Sequence, residues 1–480
     1  MKRYNLFING EWTESNSGNT FTSLDPATLD VVAEVQRADE TDVDKAVKSA
    51  KSAFNSTEWS DILPAERAKL LFRMAQLLRE NKDEFAELET LDVGKPLSQS
   101  LLDVEVAAKY FEYYAGVADK IFGETIPVRS DVVDYTIREP YGVTAHVVPW
   151  NYPLQMASRS IAPALASGNT VVVKPAEDTP ITALKLAELS LQAGFPKGVF
   201  NVVTGYGNEA GVYLTSHPEI DHITFTGSVP TGTNIMKSAS ENITSLTLEL
   251  GGKSPHIVFE DANLQEAAQT VFKSITQNAG QTCSAGSRLI IDKNIENDFL
   301  DKLAELMENI EVGPGIEDSD MGPIVSKKQI NTIQHYMEIA KEDNDEILYG
   351  GNPIEGMSSD LFFKPTIIKA NSSKSRLAKE EVFGPILTVL SFDTKEEALE
   401  IANDTEYGLV TGIWTSNINK ALWLAKKVKS GQVFINNYGA GGGVEMPFGG
   451  YGKSGFGREK GLEALKYYTQ TKNVAIKFEG

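Results

Sequence analysis

Apolar residues near the amino terminus recur at helical spacing. The set at 43–54 repeats at steps of three and four, and Thr41 and Asp44 are placed like a capping box, which predicts a surface helix. The same periodicity over 64–91 predicts a second, longer helix. Gly94 stands where a C-cap glycine is expected, so this helix should end there.

From Gly142 onward, short β-branched apolar runs alternate with helix-like stretches. The runs that predict strands are GVTAHVVPW at 142–150, TVVVKPA at 170–176, VFNVVTG at 199–205, HITFTG at 222–227 and SLTLEL at 245–250. Helical spacing is found at 182–194, 208–216, 231–240 and 264–278. This alternation predicts right-handed βαβ units in a parallel sheet that is covered by helices.

A second alternating series begins after residue 286. Its predicted strands are SRLIIDK, FFKPTIIKA, GPILTVLSF, GIWTS and GQVFINN, and its predicted helices lie near 296–309, 327–341, 395–403 and 418–428. The series therefore predicts a second α/β domain. The final YYTQTKNVAIKF alternates like a strand but has no partner nearby in sequence, and such a strand often pairs across subunits.

Composition narrows the class of protein. A chain of 480 residues has room for two or three domains, and 41% hydrophobic with 23% charged residues is typical of a globular protein. The 45 basic and 66 acidic residues give a net charge of -21, which argues against nucleic acid or an anionic membrane as a partner. No run of 18 apolar residues predicts a membrane span, and residues 1–12 lack the apolar stretch of a secretion signal.

The numbers and spacing of cysteine and histidine bear on the cellular compartment and on metal binding. Cys283 is the only cysteine, so no intrachain disulfide can form, and a reducing compartment, by default the cytoplasm, is expected. The five histidines show no HExxH or CxxC spacing. No metal site is therefore expected.

Two glycine-rich turns follow predicted strands. Gly205–Gly211 has the order of strand, glycines and helix that a dinucleotide site needs, because its backbone must approach the pyrophosphate closely. A tight βα turn without a ligand produces the same pattern. In Thr226–Gly232, Gly227 frees the backbone, and the helix that follows offers unpaired N–H groups to a phosphate.

Lys174 and Glu177 lie just past the end of the strand TVVV. Ligands of open α/β sheets collect at this edge, and a carboxylate there can accept hydrogen bonds from a ribose diol. A solvated Lys–Glu pair fits the same sequence.

Three residues are candidates for catalysis, each with a structural alternative. Cys283 stands among glycines and small residues that leave room for a substrate, although a lone cysteine is often an inert buried side chain. Glu249 ends a strand-like run between leucines, where burial would favour a general base; the alternative is a structural pair with Lys253. Asn151, between aromatic residues and prolines, is either a fixed donor to an oxyanion or part of a rigid turn.

Taken together, these segments resemble the aldehyde dehydrogenase superfamily. The motifs that carry the resemblance are Pro-Trp-Asn-Tyr-Pro at 149–153, Lys-Pro-Ala-Glu at 174–177, Phe-Thr-Gly-Ser at 225–228, Leu-Glu-Leu-Gly-Gly-Lys-Ser-Pro at 248–255, Gly-Gln-Thr-Cys at 280–283, Glu-Val-Phe-Gly-Pro at 381–385 and Pro-Phe-Gly-Gly at 447–450. They occur in the family's order, and the resemblance covers essentially the whole chain.

The resemblance implies a non-acylating, NAD-dependent oxidation of an aldehyde to a carboxylic acid. It implies that Cys283 is the nucleophile, that Asn151 and the Cys283 backbone N–H stabilise the oxyanion, and that Glu249 activates the water that hydrolyses a thioester. The implied cofactor residues are Lys174 and Glu177 at the adenosine ribose, Gly227 and Ser228 at the pyrophosphate, Glu381 at the nicotinamide ribose, Phe383 beside the ring, and Trp150. In this family the turn at Gly205 is more a structural feature than a phosphate loop.

Glu177 favours NAD over NADP, because a 2′-phosphate would lie against its carboxylate. Glu249 favours hydrolysis to the free acid, since relatives that pass the acyl group to coenzyme A commonly lack this glutamate. The alternatives are a coenzyme A-acylating semialdehyde dehydrogenase, a cysteine hydrolase or acyltransferase, and a catalytically silent member of the family.

The substrate pocket departs from many relatives at two places. Arg159 stands where a tryptophan is common, and the loop 439–446 has glycines where an aromatic residue is often found. With Tyr152, these positions suggest a wider pocket that admits a bulky or aromatic aldehyde, with Arg159 facing a substrate carboxylate and Glu445 facing a cation. The alternative is that the two charges face solvent or pair with each other.

The resemblance also implies a division of the chain. Residues 1–121 and 141–250 would form the Rossmann-type NAD-binding domain, to which 449–464 return, and 251–448 would form the catalytic domain. Residues 122–140 and 465–480 would form an oligomerisation element of β-structure, which predicts a homodimer or homotetramer.

Overall fold

The first helix begins earlier than its apolar pattern indicates. In the computed structural model, which describes residues 2–439 and 443–479, Asp39 caps the helix Glu40–Asn55 and forms a capping box with Asp42. The predicted box at Thr41 and Asp44 was wrong by two residues. The physical reason is a tertiary contact: the Asp42 carboxylate also accepts a hydrogen bond from Ser15 Oγ at 2.9 Å, and a local pattern does not contain that partner.

The long helix predicted over 64–91 is two helices. Pro64–Glu80 ends at Asn81, whose side-chain nitrogen donates to the carbonyl of Leu77 at 2.8 Å, and Lys82–Val93 begins directly after it. This side-chain bond competes with the helical backbone pattern, which explains the break. Gly94 is left-handed, with φ 87°, as the predicted C-cap requires.

The elements have the following bounds. The helices are α1 Glu40–Asn55, α2 Thr57–Ser60, α3 Pro64–Glu80, α4 Lys82–Val93, α5 Leu97–Val117, α6 Pro153–Ala166, α7 Ile181–Ala193, α8 Val212–Ser216, α9 Val229–Asn242, α10 Leu264–Thr276, α11 Glu296–Glu308, α12 Lys327–Glu342, α13 Arg376–Lys379, α14 Lys395–Asn403, α15 Ile418–Lys427 and α16 Glu463–Tyr467. The strands are β1 Lys2–Tyr4, β2 Leu6–Ile8, β3 Glu11–Thr13, β4 Thr20–Leu24, β5 Val31–Gln36, β6 Thr125–Ile126, β7 Val132–Pro140, β8 Val143–Val148, β9 Thr170–Pro175, β10 Phe200–Val202, β11 His222–Thr226, β12 Ser245–Glu249, β13 Pro255–Val258, β14 Arg288–Asp292, β15 Glu346–Tyr349, β16 Thr366–Lys369, β17 Ile386–Phe392, β18 Val410–Trp414, β19 Gln432–Ile435, β20 Gly455–Phe456 and β21 Thr469–Lys477.

The predicted parallel sheet forms the first half of the molecule. Within the described ranges its order is β20-β12-β11-β8-β9-β10-β2-β3, and the strands from β10 to β12 run parallel. The chain runs from β8 through β9 to β10 on one side of β8 and then returns to form β11 and β12 on the other side. The neighbours β8 and β11 therefore mark a topological switch point, and ligands of such sheets bind at the carboxyl ends of the strands there. The α/β prediction is confirmed, and a small sheet, β1-β5-β4, packs near the amino terminus.

The second sheet has the order β15-β16-β17-β14-β13-β18-β19. All of its pairings are parallel except that of the edge strand β15 with β16. Its inner strand β13, between β14 and β18, was missed by the sequence analysis. Pro255–Val258 has only four residues and follows a glycine pair, so its pattern is too short to separate from a loop.

A third sheet joins distant parts of the chain. Its order is β21-β7-β6, and β21 pairs antiparallel with β7 from Thr469 opposite Pro140 to Lys477 opposite Val132. A final strand of this kind often pairs across subunits, and the resemblance implies an element formed by residues 122–140 and 465–480. In the described part of the chain β21 pairs with β7 on one side and leaves its other edge without a strand.

Apolar side chains cover both faces of the first sheet. Along β9, Val171 and Val173 pack with α3 to α7 on one face, and Val172 packs with α1, α8 and α9 on the other. Continuous burial of this kind is typical of a parallel strand between two helix layers. None of the described helices is both long and apolar enough to cross a membrane.

Arg288, the first residue of β14, is almost fully buried and donates to the carbonyls of Lys253, Ile401 and Ala402 at 2.7, 3.0 and 2.9 Å. We expect Arg288→Leu to lower the free energy of unfolding by about 2–3 kcal/mol, because three buried carbonyls lose a donor. Urea unfolding followed by circular dichroism measures this. The control is Lys293→Met, which removes an exposed ion pair with Asp393 and should change the midpoint little; equal midpoints for the two variants would contradict the prediction.

Candidate active site

Most of the predicted site residues meet at one cavity of about 710 Å³. Its walls are formed by the segments that follow β8, β11 and β12 in the first half and by the segments around residues 283, 381 and 434 in the second. The predicted residues among its lining are Trp150, Asn151, Tyr152, Arg159, Gly227, Ser228, Glu249, Cys283, Glu381 and Phe383. Lys174, Glu177 and Glu445 are outside the lining that the described residues form.

The loop that carries Cys283 is held in an unusual backbone conformation. Asn278, Ala279 and Gly280 all have positive φ, at 48°, 52° and 71°, directly before the Gln-Thr-Cys segment. A Cβ on Gly280 would lie 2.2 Å from the carbonyl oxygen of Gly384, so only glycine permits this contact. Such strain costs about 1–3 kcal/mol for a non-glycine residue and is typical of functional sites.

Cys283 is half-buried and lines the cavity. Burial raises the pKa of its thiol to about 11, while the Arg159 guanidinium opposes that shift. The thiolate, which is the nucleophilic form, is therefore a minor species at neutral pH without a ligand.

Glu249 ends β12 with its carboxyl group buried against the cavity. Neither carboxyl oxygen has a hydrogen-bond partner among the described residues. Burial, together with the Glu459 carboxylate, raises the pKa of Glu249 well above its usual value. The alternative of a structural pair with Lys253 is not observed, because no ion pair joins these two described side chains.

Asn151 is buried, and its side-chain nitrogen donates to the carbonyl of Gln281 at 2.9 Å. The main-chain carbonyl of Asn151 accepts a hydrogen bond from the side-chain nitrogen of Asn278, also at 2.9 Å. Because an amide nitrogen has two hydrogens, one bond to Gln281 leaves a second donor. The segment before Cys283 and the segment after β8 are thus tied together, and the amide lies at the cavity.

The phosphate-type turn after β11 also opens on the cavity. A Cβ on Gly227 would lie 2.5 Å from the Phe225 ring, so the backbone there stays bare, and Ser228 is the N-cap of the 14-residue helix α9. The turn at Gly205 is different. It leads into the π-helical turn Gly207–Gly211, and its Glu209 forms an ion pair with Arg37 outside the cavity lining.

Lys174, near the end of β9, forms an ion pair at 3.0 Å with Glu177, which lies just beyond that strand. Lys174 is almost fully buried, so the solvated-pair alternative fails for the lysine, while Glu177 is partly exposed. Burial alone would raise the pKa of Glu177, but the Lys174 ammonium outweighs it and lowers the pKa. The glutamate therefore stays ionised at neutral pH.

Glu381, Phe383 and Trp150 form one wall of the cavity. The Glu381 carboxylate accepts a hydrogen bond from Gly252 N at 2.8 Å, and burial raises its pKa to about 7. The rings of Trp150 and Phe383 meet edge to face, with centroids 5.3 Å apart. The side-chain nitrogen of Gln329, in α12, donates a hydrogen bond to the carbonyl of Phe383 at 2.8 Å and stabilises this wall.

Comparison with known proteins decides the family. The sequence profile described as "Aldehyde dehydrogenase family" matches residues 12–474. The chain is 44% identical to the hydroxyisobutyraldehyde dehydrogenase of Mycolicibacterium austroafricanum, over 99% of this chain and 94% of that protein. It is 43% identical to aldehyde dehydrogenase 1 of Tanacetum cinerariifolium, over 99% of this chain and 95% of that protein.

Solved structures agree. The NAD+ complex of an aldehyde dehydrogenase from Bacillus cereus has a TM-score of 0.97 at 43% identity, covering 100% of this chain and 97% of that one. A P. syringae indole-3-acetaldehyde dehydrogenase, AldA, in complex with NAD+ and IAA, has a TM-score of 0.97 at 41% identity with the same coverage. The chain belongs to the aldehyde dehydrogenase family.

In this aldehyde dehydrogenase, Arg159 already has a partner. It is almost fully buried, forms an ion pair with Glu459, and donates to Thr226 Oγ1 at 3.2 Å. A substrate carboxylate would have to compete with Glu459 for the guanidinium. The sequence analysis has Arg159 facing a substrate carboxylate, facing solvent or paired with Glu445; the structure instead pairs it with Glu459, 300 positions away in the sequence.

The other predicted pocket residues have different surroundings. Glu445 is exposed and does not face the cavity within the described ranges, whereas Tyr152 is buried against it. The loop named in the sequence analysis, 439–446, lies partly outside the described residues, at 440–442. Within the ranges that are described, no group of three or more His, Cys, Asp or Glu side chains is arranged to hold a metal ion.

The sequence analysis missed several charged residues of the cavity region, among them Glu459 and Lys460. Glu459 lies beside Glu249 and Arg159, and Lys460 lines the cavity, where burial lowers its pKa to about 8. Both belong to Gly-Arg-Glu-Lys-Gly at 457–461, just after the Pro-Phe-Gly-Gly motif. The charged cluster next to a recognised motif was the available signal.

Because Cys283 is the only cysteine, alkylation by iodoacetamide reports on this thiol alone. We expect alkylation of the ligand-free protein to accelerate about tenfold per pH unit between about pH 7 and pH 9, since the thiolate fraction grows in that proportion below a raised pKa. Mass spectrometry of timed samples measures the rate, and Cys283→Ser should take up no label. A rate that levels off below about pH 8 would show that the thiol is not shifted upward.

Proposed function

We propose that the chain catalyses NAD-dependent oxidation of an aldehyde to the free carboxylic acid. The observation that carries the proposal is the meeting of Cys283, Asn151 and Glu249 at one cavity, together with the wall formed by Glu381 and Phe383. A nucleophile, an amide donor and a carboxylate base are what acyl formation and hydrolysis require.

The cavity fits a dinucleotide. The bare backbone at Gly227 and the start of α9 provide the N–H groups that bind a pyrophosphate. Glu381 would hold one ribose and the Lys174–Glu177 pair the other, and the NAD+ complex of the Bacillus cereus relative supports this choice of cofactor. NAD, when bound, accepts the hydride that leaves the aldehyde carbon.

In the first step, the Cys283 thiolate attacks the aldehyde carbon and forms a C–S bond. The carbonyl electron pair moves to oxygen, where the second N–H of the Asn151 amide and the backbone N–H of Cys283 stabilise the negative charge. When that oxygen re-forms its double bond, the carbon gives up a hydride and remains on Cys283 as a thioester.

In the second step, Glu249 removes a proton from water. The resulting hydroxide attacks the thioester carbon, the C–S bond breaks, and the Cys283 thiolate is regenerated with release of the acid. A raised pKa brings Glu249 closer to the working pH, which suits a general base.

The substrate is proposed to be a bulky or aromatic aldehyde. Apolar and aromatic side chains of the cavity support this, including Val106, Met156, Phe434 and Phe448. The similarity to an indole-3-acetaldehyde dehydrogenase points the same way. Because Arg159 is paired with Glu459, we do not propose a carboxylate on the substrate.

We further propose the domain division at 1–121 with 141–250 and 449–464, at 251–448, and at 122–140 with 465–480. The separate sheets support it, as does the pairing of β20 with β12. The long exposed ribbon of β7 and β21 supports a homodimer or homotetramer, since exposed edges are commonly covered by a partner. The single cysteine and the lack of disulfides favour a cytoplasmic enzyme.

The direct test follows NADH formation by absorbance with short aliphatic, aromatic, amino and carboxylated aldehydes. We expect activity to be highest with aromatic aldehydes, and Cys283→Ala should lower kcat about 10³-fold or more. In Glu249→Gln we expect a burst of about one NADH per site followed by turnover slowed about 10²-fold, because hydride transfer precedes the hydrolysis that this residue assists.

The surface variant Lys293→Met serves as the control and should keep wild-type turnover. Addition of coenzyme A should not be required; a strict requirement would favour the acylating alternative. If no aldehyde in the panel reduces NAD, the proposed function fails.

Glu177→Gln tests the choice of cofactor. Removing the carboxylate should raise kcat/KM with NADP relative to NAD by about tenfold, because the 2′-phosphate no longer meets a negative charge. The matched control is Glu188→Gln, which breaks the Lys185–Glu188 pair of the same i,i+3 spacing at 2.7 Å. An unchanged cofactor ratio in Glu177→Gln would place the 2′-hydroxyl elsewhere.

A further inference from the structure

Two tyrosine hydroxyls form hydrogen bonds with the residues on either side of Cys283. The Tyr152 hydroxyl lies 2.9 Å from Thr282 Oγ1, and the Tyr438 hydroxyl donates to the carbonyl of Ser284 at 2.8 Å. Both rings line the cavity that Cys283 faces. We propose that Tyr152 and Tyr438 are positioning residues that fix the backbone before and after the nucleophile, which rests on the proposed function of Cys283.

Tyr152 is held by a buried ionic cluster. The Lys95 ammonium lies 4.1 Å from the centre of the Tyr152 ring and donates to Asp103 at 2.6 Å and to Glu89 at 3.3 Å. These three charged side chains are almost fully buried. Glu89 also accepts a hydrogen bond from Thr182 at 3.0 Å, so the cluster is anchored in α7. A desolvated cation over an aromatic face is a strong contact, and it fixes the ring.

Tyr438 is held in a different way. Its ring packs against the His256 ring with centroids 4.3 Å apart. His256 accepts a hydrogen bond from Trp414 Nε1 at 3.1 Å and contacts Ser274 Oγ at 3.0 Å. Burial lowers the pKa of His256 to about 3, so the ring is neutral and its contacts do not change near neutral pH. The tyrosine thus rests on a side chain fixed at both ring nitrogens.

Each hydroxyl keeps its proton under working conditions, because burial raises the pKa of both tyrosines. The two contacts act on different parts of the nucleophile. Thr282 carries the peptide bond whose N–H belongs to Cys283, so the Tyr152 contact positions the oxyanion donor. The backbone N–H of Ser284 lowers the pKa of the Cys283 thiol, and Tyr438 holds the same residue at its carbonyl, so we expect the Tyr438 contact to support ionisation.

Other charged groups face the thiol and stay unchanged in the test below. Arg159 favours its ionised form, and Glu249 and Glu381 oppose it. Lys460, from the segment after β20, also interacts electrostatically with Cys283. A single hydroxyl removed from either tyrosine leaves all four groups in place, so a change in thiol reactivity reports on the backbone.

The test compares Tyr152→Phe and Tyr438→Phe with the matched control Tyr349→Phe. Tyr349 also donates its hydroxyl to a carbonyl, that of Met307 at 3.1 Å, and neither residue belongs to the cavity lining. In Tyr152→Phe we expect kcat to fall about tenfold with KM within about twofold and little change in alkylation. In Tyr438→Phe we expect iodoacetamide alkylation at about pH 8 to slow about three- to tenfold and to recover at higher pH.

Thr282→Val provides a second route to the same contact. It should lower kcat as Tyr152→Phe does. In the double variant kcat should be little lower than in either single variant, because both substitutions remove the same hydrogen bond. If Tyr152→Phe and Tyr438→Phe match Tyr349→Phe in kcat and in alkylation, the positioning role is refuted, even where melting temperatures differ.

The outcomes separate this inference from the proposed function. If the wild type oxidises aldehydes and both variants behave like the control, only the positioning role fails. If the wild type reduces no NAD but Tyr438→Phe still slows alkylation, the positioning of Ser284 by Tyr438 is supported while the proposed reaction fails.

Discussion

Close approach of main-chain segments is the constraint on which the site depends. A Cβ on Gly252 would lie 2.6 Å from the carbonyl oxygen of Cys283, and one on Gly251 would lie 2.0 Å from the Glu381 carboxylate. Glu249 ends β12, and the glycine pair follows directly. This pair can contact both the loop that carries Cys283 and the cavity wall that carries Glu381 only because the two positions lack side chains. The catalytic residues come from two sheets, and these contacts bring them into one cavity.

Burial then sets the chemistry of the cavity. Burial shifts the pKa values of four groups so that their neutral forms are favoured: it raises those of Cys283, Glu249 and Glu381 and lowers that of Lys460. Arg159 is buried beside them and stays charged, and its pairing with Glu459 is better explained by this electrostatic balance than by substrate recognition. A reaction that creates and removes negative charge at one carbon benefits from groups that are close to changing their ionisation state.

The sequence predicted the parts of this arrangement that depend on local pattern. The strands that become β8, β9, β11 and β12 were visible as β-branched runs, and their carboxyl ends placed Asn151, Lys174, Gly227 and Glu249 at one edge. Residues that act through distant partners were not visible. Glu459 is 300 positions from Arg159, and Tyr438 reaches Ser284 across 154 positions, so neither contact leaves a periodic trace. The predictions at Asn81 and Asp39 were wrong for a different reason: local bonds between side chains and backbone, which an apolar pattern does not record, decide where these helices begin and end.

The closing of the third sheet sets an order for synthesis. β7 leaves the ribosome long before β21, and the bond from Asn473 to Asp134 joins residues 339 positions apart. Glu459 and β20 also lie late in the sequence, yet they complete the surroundings of Glu249 and the edge of the first sheet. A nascent chain can fold most of both α/β halves while these contacts are absent. Assembly of the ribbon, and completion of the charge cluster in the cavity, must therefore wait until residues 455–477 have been synthesised.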